Sequence, residues 1–337
     1  MPTISVVIPV YKVGKYIENS MKSVCCQTFK DFEVVLVDNN TPDDSIEIAE
    51  KVLQEGGIEY RVVKQTIQGL PAARNMGIRE ARGEWIISID PDDTVSKFFL
   101  QELYKCAIEK RVDIVFSKYD EVGTANLFFF PEEMMKNVVE IYEKDAILNN
   151  LLVRKMPLMV SNMFFRKSYF ISHEFKFDQN VILGADLLLL WRILMETPRV
   201  AFINKYLYNH YQREDSLMTA PAQNKVDSNL AGYRRQLDVF EELSNRQFAN
   251  WIYAREVYAI LRTLCVFGNR KLFLKNKKDY YTKEVYKSLK SFPDRIVSSM
   301  NFCAYFMPSF FYYLNHTFLK NPIVGLVVRK VRNKFVG

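Results

Sequence analysis

The run Ile4-Ser5-Val6-Val7-Ile8-Pro9-Val10 constrains the fold more than any other stretch of the chain. It is apolar without the alternation of a half-exposed strand, so both of its faces must be covered. Strands of this kind belong to parallel sheets with helices on both sides. The following segments repeat the pattern. Ile17, Met21, Val24 and Thr28 stand at helical spacing, and Glu33 to Val37 is a second short strand ending at Asp38. A helix over 44–53, a strand over 58–63, a helix over 72–81 and a strand over 85–89 ending at Asp90 come next. A helix over 96–109 and a strand over 112–116 complete the series. Strand and helix in alternation predict an α/β fold, a mostly parallel sheet flanked by helices. In such sheets ligands sit beyond the carboxyl ends of the strands. Those ends carry Pro9-Val10-Tyr11, Asp38-Asn39-Asn40 and Asp90-Pro91-Asp92-Asp93, so polar chemistry gathers along one edge.

Beyond residue 117 the pattern loosens. Leu127 to Pro131 reads as strand or loop, Glu132 to Arg154 as largely helical, and 162–166 and 200–207 as strands. A leucine-rich helix is expected over 184–195, and from about 222 onward the pattern is helical with frequent Tyr and Phe. The 337 residues divide into a larger domain over 1–220, with halves 1–117 and 118–220, and a C-terminal helical extension over 221–337. A composition of 49% hydrophobic and 25% charged residues excludes a disordered chain, and 12 Gly with 12 Pro exclude a collagen-like one. The net charge of +7 is uneven: residues 262–337 hold 15 Lys and Arg against 3 Asp and Glu. A basic tail on a slightly acidic body suits an anionic partner. Five cysteines with no C-x-x-C spacing, and three histidines, favour reduced thiols in a cytosolic compartment over a disulfide framework or zinc site. The start of the chain lacks a basic n-region and reads as a strand rather than a signal peptide.

The densest chemistry is Asp90-x-Asp92 with Asp93. Side chains two apart on an extended segment share a face. Two carboxylates there can hold a hard divalent cation, completed by diphosphate oxygens and water. A turn after a strand, with Asp93 or Ser96 capping the next helix, would use the same residues for structure alone.

Five motifs in order over about 95 residues settle the balance. They are the opening strand through Tyr11, Gln27-Thr28-Phe29, and Val35-Leu36-Val37-Asp38 with Asp43-Asp44-Ser45. Gly69-Leu70-Pro71-Ala72-Ala73-Arg74-Asn75-x-Gly77 and Gly83-Glu84-Trp85-Ile86 leading into Ile89-Asp90-Pro91-Asp92-Asp93 follow. The chain resembles a family 2 glycosyltransferase of the GT-A fold, of the kind that builds bacterial surface polysaccharides. The resemblance covers roughly the first 215 residues. It implies a nucleotide site formed by Pro9, Val10, Tyr11, Asp38, Arg74, Asp90 and Arg213. It implies Mn²⁺ or Mg²⁺ on Asp92, with Asp90 close to the metal or the ribose and His210 as a further candidate ligand. Asp186, after Gly184-Ala185, falls where such enzymes place the general base, although Ala185 stands where Glu is usual. Lys12, the Asn39-Asn40-Thr41 turn and Tyr211 are further departures, and they bear on donor identity more than on reaction class. Each residue has a plainer reading: Tyr11 as a rim aromatic, Asp38 as the opener of a turn, Arg74 as a solvated helix charge, Asp186 as a carboxylate at a helix N-terminus, His210 as a packed side chain.

The expected reaction is inverting transfer of a sugar from a nucleotide-diphosphate donor, a UDP-sugar first, to a hydroxyl of a growing surface glycan. A lipid-linked acceptor would suit the tail, where Phe302 to Leu314 and Ile323 to Val328 are apolar and Arg329, Lys330, Arg332 and Lys334 follow. Neither run approaches the ~20 residues of a membrane span. A peripheral position on the inner face of the cell membrane is therefore expected, or else a helical subdomain packed on the catalytic domain. Nucleic acid is not an expected partner. Nucleotidyltransferases and nicotinamide oxidoreductases are disfavoured because no glycine-rich phosphate loop follows the first strand. An inactive nucleotide- or glycan-binding member of the same fold is the non-enzymatic alternative.

Overall fold

A computed structural model of the chain describes residues 1–122, 138–152, 158–181 and 184–211, a few positions between these, a helix near 275 and scattered positions around it. The chain clusters into two compact units, one of residues 1–151, 156–180 and 185–220, the other of 152–155, 181–184 and 221–337. The first unit holds a nine-stranded sheet. Its strands are β1 (Ile4–Val10), β2 (Phe32–Asp38), β3 (Tyr60–Lys64), β4 (Trp85–Ser88), β5 (Thr94–Val95), β6 (Ile114–Val122), β7 (Val139–Glu143), β8 (Met163–Arg166) and β9 (Arg199–Tyr211). The helices are α1 (Ile17–Cys25), α2 (Ser45–Glu55), α3 (Leu70–Glu80), α4 (Phe99–Lys110), α5 (Lys144–Leu152), α6 (Lys167–Ser172) and α7 (Ala185–Glu196), with α8 (Arg270–Tyr280) in the second unit.

The strand order is β3-β2-β1-β4-β8-β6-β9-β5, with β7 on the free side of β9. β3, β2, β1 and β4 run parallel, and β8 enters antiparallel between β4 and β6. The arrangement is a mostly parallel sheet flanked by helices, consistent with a GT-A fold. Alternate residues of β1 serve different layers. Ile4, Val6, Ile8 and Val10 pack with Ile17, Met21 and Val24 of α1 and Ala49 and Leu53 of α2. Val7 faces α3, where a Cβ on Gly77 would lie 2.2 Å from Val7 Cγ1. Helix α3 therefore lies on the sheet at a distance only glycine permits. Every residue of β1 is buried, so each large aliphatic one contributes roughly 1.5–3 kcal/mol of transfer free energy.

β8 is fastened by its side chains as well as its ladder. Phe164 stacks on Trp85 across the pair, with ring centroids 5.0 Å apart, and the Arg166 guanidinium lies 4.4 Å from the Trp85 ring while pairing with Asp113 and Glu84.

Three sequence expectations are corrected. The stretch expected as helix over 132–154 contains β7, which pairs antiparallel with β9 before α5 begins. Val139 and Ile141 alternate with Glu140 and Tyr142, a strand pattern that the neighbouring helical residues obscured. β6 runs on to Val122, held to β9 across two register shifts near Lys118. The two-residue β5 was not foreseen, since its strand form comes from pairing with β9 more than 110 residues on. Most of Leu127–Pro131, all of Phe302–Leu314 except three positions, and Ile323–Val328 lie outside the described residues.

Candidate active site

β1 and β2 end level, Val10 opposite Asp38, while β4 stops three residues sooner, with Ser88 opposite Val7, so the Asp90 turn begins beside the end of β1. The turns that follow are locked by short polar contacts. Lys12 takes a left-handed φ of 52° and donates its backbone N–H to Thr41 Oγ1 at 2.9 Å. Thr41 N–H in turn donates to Asp38 Oδ1 at 3.0 Å, so Asp38 does open the turn after β2. Asp43 accepts from Thr41, Ser45 and Gly14, and against the penalty of burial these donors hold its carboxyl below the usual range. Asn39 is buried and clamps the loop before α3, donating to the carbonyls of Gln65 and Ile67 and accepting from Gly69 N–H at 2.8 Å. The Asn39-Asn40-Thr41 departure is thus a structural brace. Tyr11 is 41% exposed beside it, with Lys12 Nζ 5.3 Å from its ring, as a rim aromatic would be. Pro9 and Val10 are buried in β1.

Arg74 is not a solvated helix charge. It is 1% exposed. Its Nη2 donates to Asp90 Oδ1 at 2.6 Å and its Nη1 to Asp186 Oδ1 at 2.5 Å. Asp90 lies in the turn after β4, and Asp186 in the first turn of α7, 112 residues from Arg74 in sequence. Burial opposes the charge on Arg74, and the two carboxylates more than offset it, raising the guanidinium pKa above its ordinary value. Phe177 covers the guanidinium, its ring centroid 5.4 Å from Cζ. Phe177 is itself held by Asn75, which donates to its carbonyl at 2.8 Å and accepts from its N–H at 2.9 Å. Neither Asn75 nor Phe177 stood out as a functional residue. Asn75 sits in the same Ala-Arg-Asn run as Arg74, whereas Phe177 carried no signal.

Asp93 parts from its neighbours. It is fully buried and accepts from Tyr208 Oη–H at 2.6 Å, from Tyr211 N–H at 2.8 Å and from His210 Nδ1 at 3.3 Å. The hydrogen bond that His210 donates to Asp93, against the cost of burial, lifts its imidazole to about 9. Tyr208 also accepts from Asp90 N–H at 3.2 Å, and burial beside Asp93 keeps its hydroxyl protonated. The end of β9 is therefore pinned to the Asp90–Asp93 turn. Asp93 caps no helix in this arrangement. Asp92 is half-buried in that turn. Ala185 is buried at the start of α7, where a longer acidic side chain would need a partner of its own. Tyr211 packs on Tyr16 with centroids 5.6 Å apart. Arg213 lies outside the described residues.

The structure thus brings Arg74, Asp90 and Asp186 together and sets Asp92, Asp93 and His210 beside them. A carboxylate turn beyond a parallel sheet, joined to a carboxylate that opens a later helix, suits the chemistry of moving a sugar off a nucleotide, and this chain belongs to glycosyl transferase family 2, whose model matches residues 5–173. It is a sugar transferase. Among curated proteins it is similar to the glycosyltransferase EpsJ of Bacillus subtilis, 29% identical over 231 residues, 68% of this chain and 67% of that one. It is similar to the glycosyltransferase GlyG of Streptococcus pneumoniae, 28% identical over 254 residues, 71% of this chain and 78% of that one. Cholesterol galactosyltransferase of Borreliella burgdorferi is 27% identical over 287 residues, 76% of each chain. Among solved structures, residues 1–349 of S. aureus TarS in complex with UDP-GlcNAc match with a TM-score of 0.64 at 19% identity, over 94% of this chain and 91% of that one. That likeness speaks to the fold.

Proposed function

We propose that this chain transfers a sugar from a nucleoside-diphosphate donor, a UDP-sugar first, to a hydroxyl of a bacterial surface glycan, with inversion at the anomeric carbon. The observation that carries the reading is the single buried guanidinium joining Asp90 of the donor turn to Asp186 of α7. One displacement needs a donor site and a base on opposite sides of the same carbon, and Arg74 fixes the two carboxylates relative to each other. Asp186 keeps one carboxylate oxygen outside that contact and remains 43% exposed, so an acceptor hydroxyl can reach it. Its role is to take the hydroxyl proton as the oxygen attacks, a contribution of typically 10²–10⁴-fold. Tyr11 and Asp38 border the place for the base, beyond the ends of β1 and β2.

The donor set of the Asp90–Asp93 turn fits a hard cation. Asp93 is committed to Tyr208, His210 and Tyr211, and Asp90 gives Oδ1 to Arg74; Asp92, with the other oxygen of Asp90, is the proposed holder of Mn²⁺ or Mg²⁺. Among the described residues no three His, Cys, Asp or Glu side chains are gathered for a metal. Two carboxylates with phosphate oxygens and water are an ordinary Mg²⁺ environment. A divalent cation held there would neutralise charge on the departing diphosphate. A lipid-linked acceptor and a peripheral membrane position suit the basic C-terminal region.

A donor panel tests the reading. The protein is incubated with Mn²⁺ and UDP-, dTDP- or GDP-sugars, and released nucleoside diphosphate is measured. Release from one UDP-sugar, lost in Asp92→Asn, is expected. With an acceptor in hand, Asp186→Asn should lower transfer by at least 10²-fold. Failure of the folded protein to bind any of the three diphosphates in the presence of Mn²⁺ would sink the donor assignment.

A further inference from the structure

We propose that Arg74 is a positioning residue that couples the donor side of the site to the acceptor side, a role that rests on the donor and base assignments above. The usual expectation for an arginine near a diphosphate is direct contact. Arg74 is poorly placed for that. Its side chain is 1% exposed, and both terminal nitrogens are committed, one to Asp90 and one to Asp186. Its Nε is buried without a hydrogen-bond partner. The fork cannot turn easily toward a ligand, because Phe177 lies over it, Asn75 fixes Phe177, and Gly77 presses α3 onto Val7. A planar guanidinium held at both ends sets the separation and orientation of its two acceptors.

The charges then make the two acceptors interdependent. One cation is shared by two carboxylates, Asp90 on the side where the diphosphate arrives and Asp186 on the side of the acceptor. Each carboxylate screens the cation from the other. Burial of the guanidinium keeps part of that screening from being lost to solvent, although Asp90 and Asp186 are themselves 22% and 43% exposed. With the Asp186 carboxylate gone, the whole guanidinium charge falls on the Asp90 side, and an incoming diphosphate meets a more positive site. Asp186 should therefore influence nucleotide affinity through Arg74, without touching the nucleotide. By reciprocity the bound donor alters the state of Asp186, so that the base is tuned by donor occupancy.

Calorimetric titration of UDP in excess Mn²⁺ tests this with no acceptor and no turnover. Wild type, Asp186→Asn, Arg74→Met and the double variant form a thermodynamic cycle. Asp186→Asn is expected to tighten UDP by about fivefold or more, the low end of ordinary coupling between sites. In the Arg74→Met background the same change should move the dissociation constant by less than about twofold. Thermal melts establish that each variant is folded. If Arg74→Met is not, Arg74→Lys takes its place, since an ammonium keeps the charge and loses the fork. Unchanged or weakened UDP binding in Asp186→Asn overturns the coupling, as does an equal shift with and without Arg74. No binding of UDP, dTDP or GDP by the folded wild type overturns the donor assignment, and this inference with it.

Discussion

At the scale of single residues, the site is built on charges that are buried and paired. His210 and Asp93 show what this implies. The folded protein raises the His210 imidazole from its ordinary value of 6.5 to about 9, chiefly through the hydrogen bond to Asp93. The stabilisation is complete below about 6.5, where the ring is charged folded or unfolded, and is lost as pH rises through about 9. The melting temperature, followed by circular dichroism in EDTA, should fall across that window in the wild type. His210→Gln should flatten the fall and lower the melting temperature at pH 6, because Asp93 then loses its cation. Little of this was legible in sequence. Asp93 read as one of three carboxylates in a turn, and only the docking of Tyr208 and Tyr211 separates it from the other two. Arg74 was legible as a candidate for the site by its motif. Its burial was not, because both partners come from other elements, one of them 112 residues away.

At the scale of elements, α3 carries the argument. It brings Arg74 and Asn75 to the site and lies on β1 through Gly77. In an exposed helix Gly→Ala stabilises by up to about 1 kcal/mol. Here the added Cβ would lie 2.2 Å from Val7 Cγ1 and 3.1 Å from Val37 Cγ2. The clash should reverse the sign, and Gly77→Ala is expected to destabilise by about 1–3 kcal/mol in urea titration. The strands of the first half were readable because a both-faces-buried strand has an unmistakable composition. β7 and β5 were not. A five-residue edge strand beside a helix and a two-residue bridge take their form from β9, a partner that arrives more than 55 residues later and that the short alternation around Val139 and Ile141 does not announce.

At the scale of the whole molecule, charge and topology are both lopsided. With 15 basic and 3 acidic residues in its last 76, the full chain should sediment with vesicles containing anionic lipid at low salt and release at high salt. Sedimentation equal to that with neutral vesicles would leave the tail as a solvated edge. The topology has its own consequence. β8 lies between β4 and β6, although β6 precedes it in the chain. A ribosome that has delivered residues 1–122 has made every strand of the parallel half and has nothing to place against the outer side of β4. Trp85-Ile86-Ile87-Ser88, wholly buried in the finished protein, would then line a bare margin of unpaired amides and carbonyls. Until residue 166 emerges, the growing chain carries a seam open to any other strand nearby. Synthesis interrupted in that interval yields material prone to stick to its neighbours, however well its first four strands have formed.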